Sequence, residues 1–334
     1  MQPHDRAHWT ALRAALTLAI GFLLVWRLGH LDWTLYVAFG AFSSVYGRHH
    51  AYRDRLRMQA GAGSALVLAV VLGTAVSVFA AGSLLAVALM AVASVGGFLL
   101  SRHEGWLPPG SLFFVFGTGA TSSFAHTAAD IPLALLVSGL TVLLALGIGQ
   151  AGRLFPAGRS ARKAPSPVRV PFGDLLRAPG VRWDLLRYAI GPLVAGGVAT
   201  LGGIGHPYWA AVSATIPLVG ATLGAQFTRA THRLVGTLLG VLLAFAILSA
   251  DPSDLVMILI VLVIQAFAEL FVLRNYGLTV IALTPLALIM SHLASPVSIT
   301  QLVEDRAVET VLGVAVAILL MLLVRPRRRA APYA

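Results

Sequence analysis

Residues 227–240, "FTRATHRLVGTLLG", set Arg229, His232 and Arg233 against an apolar run punctuated by Gly236 and Gly240. Guanidinium groups recognise carboxylate and phosphate, so the stretch suits a phosphate-binding loop, a nucleic-acid patch or an anion contact at the edge of a membrane. The loop reading fails, because the segment lacks a Gly-Lys-Ser/Thr ending and follows no soluble strand. As a helix the pattern is coherent. Arg229, Arg233, Gly236 and Gly240 recur at three- and four-residue spacing and share one face, and "GTLLG" lets a neighbouring backbone approach closely. The arginines read either as topology signals that reach lipid phosphates or as part of an electropositive mouth for an anion.

Glu269, in "IQAFAELFVLRNYG", is the one acid placed well inside an apolar run, about one turn from its end and level with Arg229, Arg233 and Arg274. Buried membrane acids are costly and usually paired, so it reads as an ion-pair partner or as a proton-coupling or gating group. Gln226 and Gln265 are further polar groups near these runs, read as interhelical hydrogen bonds or path contacts. Trp33, Tyr36, Tyr208 and Trp209 open two short apolar runs, "LDWTLY" and "HPYWAA". They form an interfacial belt or stack against an aromatic solute. The 10 histidines are scattered, with no His-Glu-x-x-His or paired-carboxylate arrangement, and there is no cysteine. No enzyme activity, metal or cofactor is expected, and any pumping must draw on an ion gradient.

The elements that position these groups follow from composition. Of 334 residues, 58% are hydrophobic and 11% charged, against roughly 25% charged in a soluble chain. The lipid bilayer is the partner this composition demands, and the net charge of +11 sits in short segments between apolar runs, not on one face that nucleic acid could use. A membrane helix needs ~20 mostly apolar residues. Such runs fall near 11–28, 60–80, 82–100, 107–125, 130–149, 184–203, 232–250, 254–272, 275–291 and 305–324, with shorter ones near 33–47 and 207–223. The expected fold is therefore an all-α membrane protein of about twelve transmembrane helices. The first run reads as a retained span, not a signal peptide. With the N-terminus inside, all but Arg27 and Arg306 of the 24 lysines and arginines fall on the inner side. The positive-inside rule then puts both termini in the cytoplasm of a bacterial plasma membrane.

The spans divide into 1–149, a Pro-, Arg- and Gly-rich cytoplasmic linker 150–183, and 184–334 with a basic tail. A single offset carries Trp33 onto Trp209, Arg53 onto Arg229, Arg57 onto Arg233, Ala60 onto Gly236 and Ser64 onto Gly240. Six spans per half make the copies two parallel six-helix repeats, and a duplicated unit leaves room for a homo-oligomer among smaller relatives. Short spans broken by Gly40 and Gly47, and by Pro217, Gly220 and Gly224, in matching positions are the sequence's best pointer to a transport site.

The stretch "HPYWAAVSATIPLVGATLGAQFTRATHRLVGTLLGVLLA" and the later "AELFVLRNYGLTVIALTPLAL" resemble the fusaric acid resistance family, which includes aromatic carboxylic acid exporters. The same six-span unit resembles the plant aluminium-activated malate transporters. The resemblance implies functional roles for Tyr208, Trp209, Arg229, Arg233, Gly236, Thr237, Gly240, Glu269, Arg274, Asn275 and Tyr276. The expected function is export of a small anionic solute, with a passive anion channel or a non-transporting scaffold as alternatives. The expected path comprises Arg53, Arg57, Arg229, Arg233, Trp33, Tyr208, Trp209, Gln226, Glu269, Arg274, Asn275 and Tyr276, with Gly236 and Gly240 packing helices.

Overall fold

The computed structural model describes residues 7–48, 50–80, 83–154, 165–220, 222–272 and 274–324. The basic tail, and Arg159, Arg162 and Lys163 of the linker, lie outside the described residues. All regular structure among the described residues is helical, so the chain is an all-α membrane protein. The first group of helices is α1 (Ala7–Leu28), α2 (Thr34–Ala41), α3 (Tyr52–Ala80), α4 (Leu84–Glu104), α5 (Leu112–Ser123) and α6 (Asp130–Ala151). A short α7 (Phe172–Arg177) follows in the linker. The second group is α8 (Val181–Leu201), α9 (Pro207–Thr215), α10 (Leu223–Ser249), α11 (Asp254–Phe271), α12 (Tyr276–Ala294) and α13 (Ile299–Leu323).

Local signals set several boundaries. The Thr222 hydroxyl accepts from the Ala225 N–H at 3.2 Å to open α10, and the Asn275 side chain accepts from Leu278 N at 3.1 Å to open α12. Each satisfies an orphan donor of a helix start. Gly105, at φ 64°, closes α4 in the left-handed conformation that favours glycine. Among the described residues, 8 helices are long and apolar enough to cross a membrane: α1, α3, α4, α6, α10, α11, α12 and α13. The remainder depart from the run lengths. In place of a run over 107–125, α5 has 12 residues, because Pro108, Pro109 and Gly110 hold the preceding chain out of a helix. Helix α8 has the length but carries Arg182, Asp184 and Arg187 in its first two turns.

The two short runs are the most deeply buried elements. Every residue of α2 and of α9 is buried, and each continues into a 3₁₀ turn, Phe42–Val45 and Ile216–Val219. Backbone that leaves the helix inside a membrane must find partners within the protein. Arg55 supplies them after α2, donating to the carbonyls of Gly47 (3.2 Å), His50 (3.2 Å) and Gly149 (3.1 Å). Gln226 does the same after α9, donating to Gly220 O at 2.9 Å. The buried faces of the helices that follow run in step: Arg55, Gln59, Ala62, Leu66 and Val70 on α3, against Gln226, Ala230, Arg233, Thr237 and Val241 on α10. The turn before α3 (46–51) is longer than that before α10 (220–222), so the offset that aligns Trp33 with Trp209 does not hold here. Arg53, Arg57 and Ser64 fall on the exposed side of α3, and Arg233 corresponds in burial to Ala62.

Contacts between the two groups are reciprocal. Helix α1 packs on α11 and α4 on α8; α2 meets α12 and α5 meets α9. Within the second group α10 lies closely against α12. A Cβ at Gly240 would stand 2.6 Å from Thr284 Cβ and 2.8 Å from Ile281 O, and one at Gly236 would stand 2.9 Å from Val280 Cβ. Backbone cannot yield as a side chain can, so overpacking here costs at least the usual ~1–3 kcal/mol. Gly240→Leu is expected to lower thermal stability in detergent markedly. Gly139→Ala in α6, where no atom lies within 4 Å of the added carbon, should be neutral or stabilising. Equal melting temperatures for wild type and Gly240→Leu would contradict this packing.

Candidate anion-binding cavity

Between the two groups of helices lies a cavity of about 360 Å³, within the ~300–1,000 Å³ of small-molecule sites. Its walls are apolar and aromatic. Phe42 and Val45 come from the turn after α2, Phe113 and Phe116 from α5, and Trp209, Val212 and Ile216 from α9 with its 3₁₀ extension. The loop Leu107–Pro109, which is not helical as the apolar run suggests, forms part of the wall. Four arginines reach it, Arg48, Arg229, Arg233 and Arg306, together with His50, Gln265 and Tyr276; Glu269 is the acid among the lining residues.

The acid is taken. Arg48 forms an ion pair with Glu269 and also donates to Glu269 O at 3.1 Å; Gln265, one turn back on α11, donates to Glu269 Oε1 at 3.2 Å. This contact joins the two helix groups, since Arg48 precedes α3 and Glu269 ends α11. Arg13 on α1 adds a further cation acting on Glu269.

The remaining arginines have no carboxylate among the described residues. Arg233 is buried and bonds only the Ser213 hydroxyl, from Nε at 3.3 Å and Nη2 at 3.2 Å. Arg306 is 3% exposed, and its Nε and Nη1 have no hydrogen-bond partner. Its guanidinium lies 4.9 Å from the Trp209 ring centroid, and Arg229 lies 5.2 Å from that of Tyr276. Both are within cation–π range. Arg233 and Arg306 act on each other electrostatically. Like charges away from water repel strongly, and an anion between them would relieve both.

Of the sequence-predicted residues, Arg229, Arg233, Trp209, Glu269 and Tyr276 come together at this cavity. The others do not. Arg53 and Arg57 are exposed on α3. Trp33 stacks on His30 at 4.0 Å, away from the cavity. Tyr208 is buried behind Phe116, its hydroxyl 3.3 Å from that of Ser291. Gln226 holds Gly220, Asn275 caps α12 and Arg274 is exposed.

Residues 194–320, which run from within α8 almost to the end of α13, match the family described as "Fusaric acid resistance protein-like". This stretch, 127 of the 334 residues, is similar to that family. Over 107 residues the chain is 34% identical to the uncharacterized membrane protein YvaC of Bacillus subtilis (strain 168), a match covering 32% of this chain and 17% of that protein's length. No solved structure matches the chain. Within the matched stretch lie Trp209, Arg229, Arg233, Glu269, Tyr276 and Arg306. Arg48, His50 and the phenylalanines come from outside it, so the cavity is shared between that stretch and the first six helices.

Sequence reasoning missed Arg48, His50 and Arg306. Threading the spans from an inside N-terminus puts Arg306 on the outer side; the structure buries it in α13. Glu309, 0% exposed, is likewise a second acid inside a span, where Glu269 was thought to stand alone. The signal was the three-residue Arg306–Glu309 spacing in an otherwise apolar stretch, which places both on one helix face.

Removing one partner of a buried ion pair leaves an uncompensated charge and typically costs ~3–5 kcal/mol. Arg48→Gln and Glu269→Gln are each expected to lower thermal stability in detergent, and the double variant by clearly less than their sum. Strict additivity in this cycle would show that the pair contributes no coupling.

Proposed function

We propose that the protein is a multi-pass exporter of small organic anions, aromatic carboxylates foremost, across the bacterial plasma membrane. The observation that carries this reading is the pair Arg233 and Arg306: buried cations with no ion pair among the described residues, on the wall of a cavity lined by phenylalanine, tryptophan and tyrosine. Guanidinium groups suit a carboxylate head and aromatic walls suit a flat apolar body. The family is named for resistance to fusaric acid, and a membrane-embedded resistance protein is expected to remove its compound from the cell. The reciprocal packing of the helix groups supports reading them as two parallel six-helix repeats with twelve membrane segments. With Arg306 withdrawn from the outer surface, Arg27 is the single basic residue assigned outside, which supports cytoplasmic termini and linker.

The site is asymmetric, unlike two arginine pairs facing a central axis. Arg229, Arg233 and Arg306 all belong to the second repeat, and the first contributes Arg48, already paired. One chain therefore offers one anion site.

Proteoliposomes loaded with radiolabelled benzoate test this. Arg233→Gln and Arg306→Gln are each expected to raise the half-saturating concentration at least about tenfold, equivalent to ~1.4 kcal/mol, while Arg57→Gln transports like wild type. Gradient-dependent accumulation supports an exporter and purely dissipative flux a channel. Wild-type behaviour of both buried-arginine variants, or no flux at all, would refute the reading.

A further inference from the structure

Glu309 sits one turn beyond Arg306 on α13 and is wholly buried. Its Oε1 accepts from the backbone N–H of His206 at 2.9 Å, and its Oε2 has no partner. Although helical neighbours at this spacing can pair, no ion pair joins Glu309 to Arg306 among the described residues, and the guanidinium instead lies over Trp209. His206 in turn stacks on Trp209, centroids 4.6 Å apart. An orphaned carboxyl oxygen beside His206 and an under-bonded guanidinium over Trp209 thus meet at one stacked aromatic pair, of which Trp209 lines the cavity.

We propose that Glu309 is the proton-binding group of this site: its protonation leaves the Arg306 charge free for the solute, so the cavity takes up one proton with each carboxylate. The inference rests on the anion-site reading above. With Glu309 ionised, a carboxylate one turn away offsets the Arg306 field, and an incoming anion loses its water for little attraction. With Oε2 protonated, the guanidinium is uncompensated and the anion is drawn in. The proton comes from water and no covalent bond of the solute changes. Because linkage is reciprocal, the bound anion also favours the proton. Glu269 cannot act this way while Arg48 and Gln265 hold its two oxygens.

The charged and titratable groups facing this pair are few. Asp305 lies beside it on α13, its Oδ2 3.1 Å from His206 Nδ1. His206 and Tyr208 face it from α9 and the turn before it, and Arg233 on α10 and Tyr276 on α12 act on Arg306. Helix α8 brings its charges to the far end of α13, where Arg187 donates to Val324 O. His50 also lines the cavity, with Nδ1 unpartnered, and is the obvious rival as proton site. Transfer of anion and proton together is electroneutral. Net export then requires an outward anion gradient larger than the inward proton gradient.

Calorimetric titration of benzoate into the full chain in lipid nanodiscs decides the matter, run from about pH 6 to about pH 10.5, above the ~4 at which a simple carboxylic acid ionises and wide enough to span the titration of a buried carboxyl. Wild type is expected to bind more tightly as pH falls, by up to about tenfold per pH unit. Repeating the titration at the alkaline end, where free Glu309 is ionised, in buffers of different ionisation enthalpy should reveal uptake of about one proton per benzoate. Glu309→Gln should bind with the wild type's low-pH affinity at every pH and take up no proton, while His50→Gln should keep the wild-type dependence. Should the Gln variant misfold, proton uptake by wild type and by His50→Gln still decides. Benzoate binding without proton uptake, or uptake lost in His50→Gln and kept in Glu309→Gln, overturns the coupling and leaves the anion site standing. No benzoate binding at any pH overturns both.

Discussion

A guanidinium held away from water costs several kcal/mol unless an opposite charge compensates it. The second half of this chain buries two, Arg233 and Arg306, at one cavity. The fold tolerates them because the surroundings supply partial substitutes: the Ser213 hydroxyl for Arg233 and the face of Trp209 for Arg306. Neither substitute carries a full negative charge. The cavity is thus short of negative charge, which is the observation behind the proposed anionic occupant. The nearby acids do not fill the deficit. Glu269 is committed to Arg48, and Glu309 turns its bonded oxygen toward the backbone of His206.

The cavity exists because two helices stop halfway. Full-length spans at α2 and α9 would run through the space between the helix groups. Instead the chain turns inside the protein after a few helical turns, and the freed carbonyls are held by Arg55 and Gln226. Those side chains are positional, and their exposed neighbours Arg53 and Arg57 contribute to neither job. Close approach of α10 and α12 at Gly236 and Gly240 then brings Arg233 and Tyr276 to the same wall. The ion pair of Arg48 with Glu269 ties the first helix group to the second beside the cavity.

Much of this was legible in the sequence. Composition alone demanded a membrane, and the short glycine- and proline-broken runs pointed to the elements that build the cavity. Arg229, Arg233, Trp209 and Glu269 were named from type and spacing, and Tyr276 from the family resemblance. Three things were not legible. A fixed offset aligned the arginine pairs of the two halves because it could not register the longer turn before α3, which rotates Arg53 and Arg57 outward. Threading the spans put Arg306 on the outer side, since a charge tally assigns a residue at a helix start to one side and cannot register that packing buries it. Asn275, Gln226 and Tyr208 proved to be a cap, a turn anchor and a core ring, because polar side chains near membrane helices satisfy backbone at least as readily as they meet a solute.

In the proposed arrangement a carboxylate would sit between the Arg233 and Arg306 guanidiniums with its ring against the Trp209 wall. Electron cryo-microscopy of the full chain in nanodiscs with para-iodobenzoate tests it directly, because iodine scatters strongly and marks the ring. The account predicts one iodine peak per chain inside the cavity, pointing away from the two arginines toward Phe42, Phe113 and Phe116. Iodine density only at the lipid-facing surface, or a cavity unchanged at saturating ligand, would contradict it.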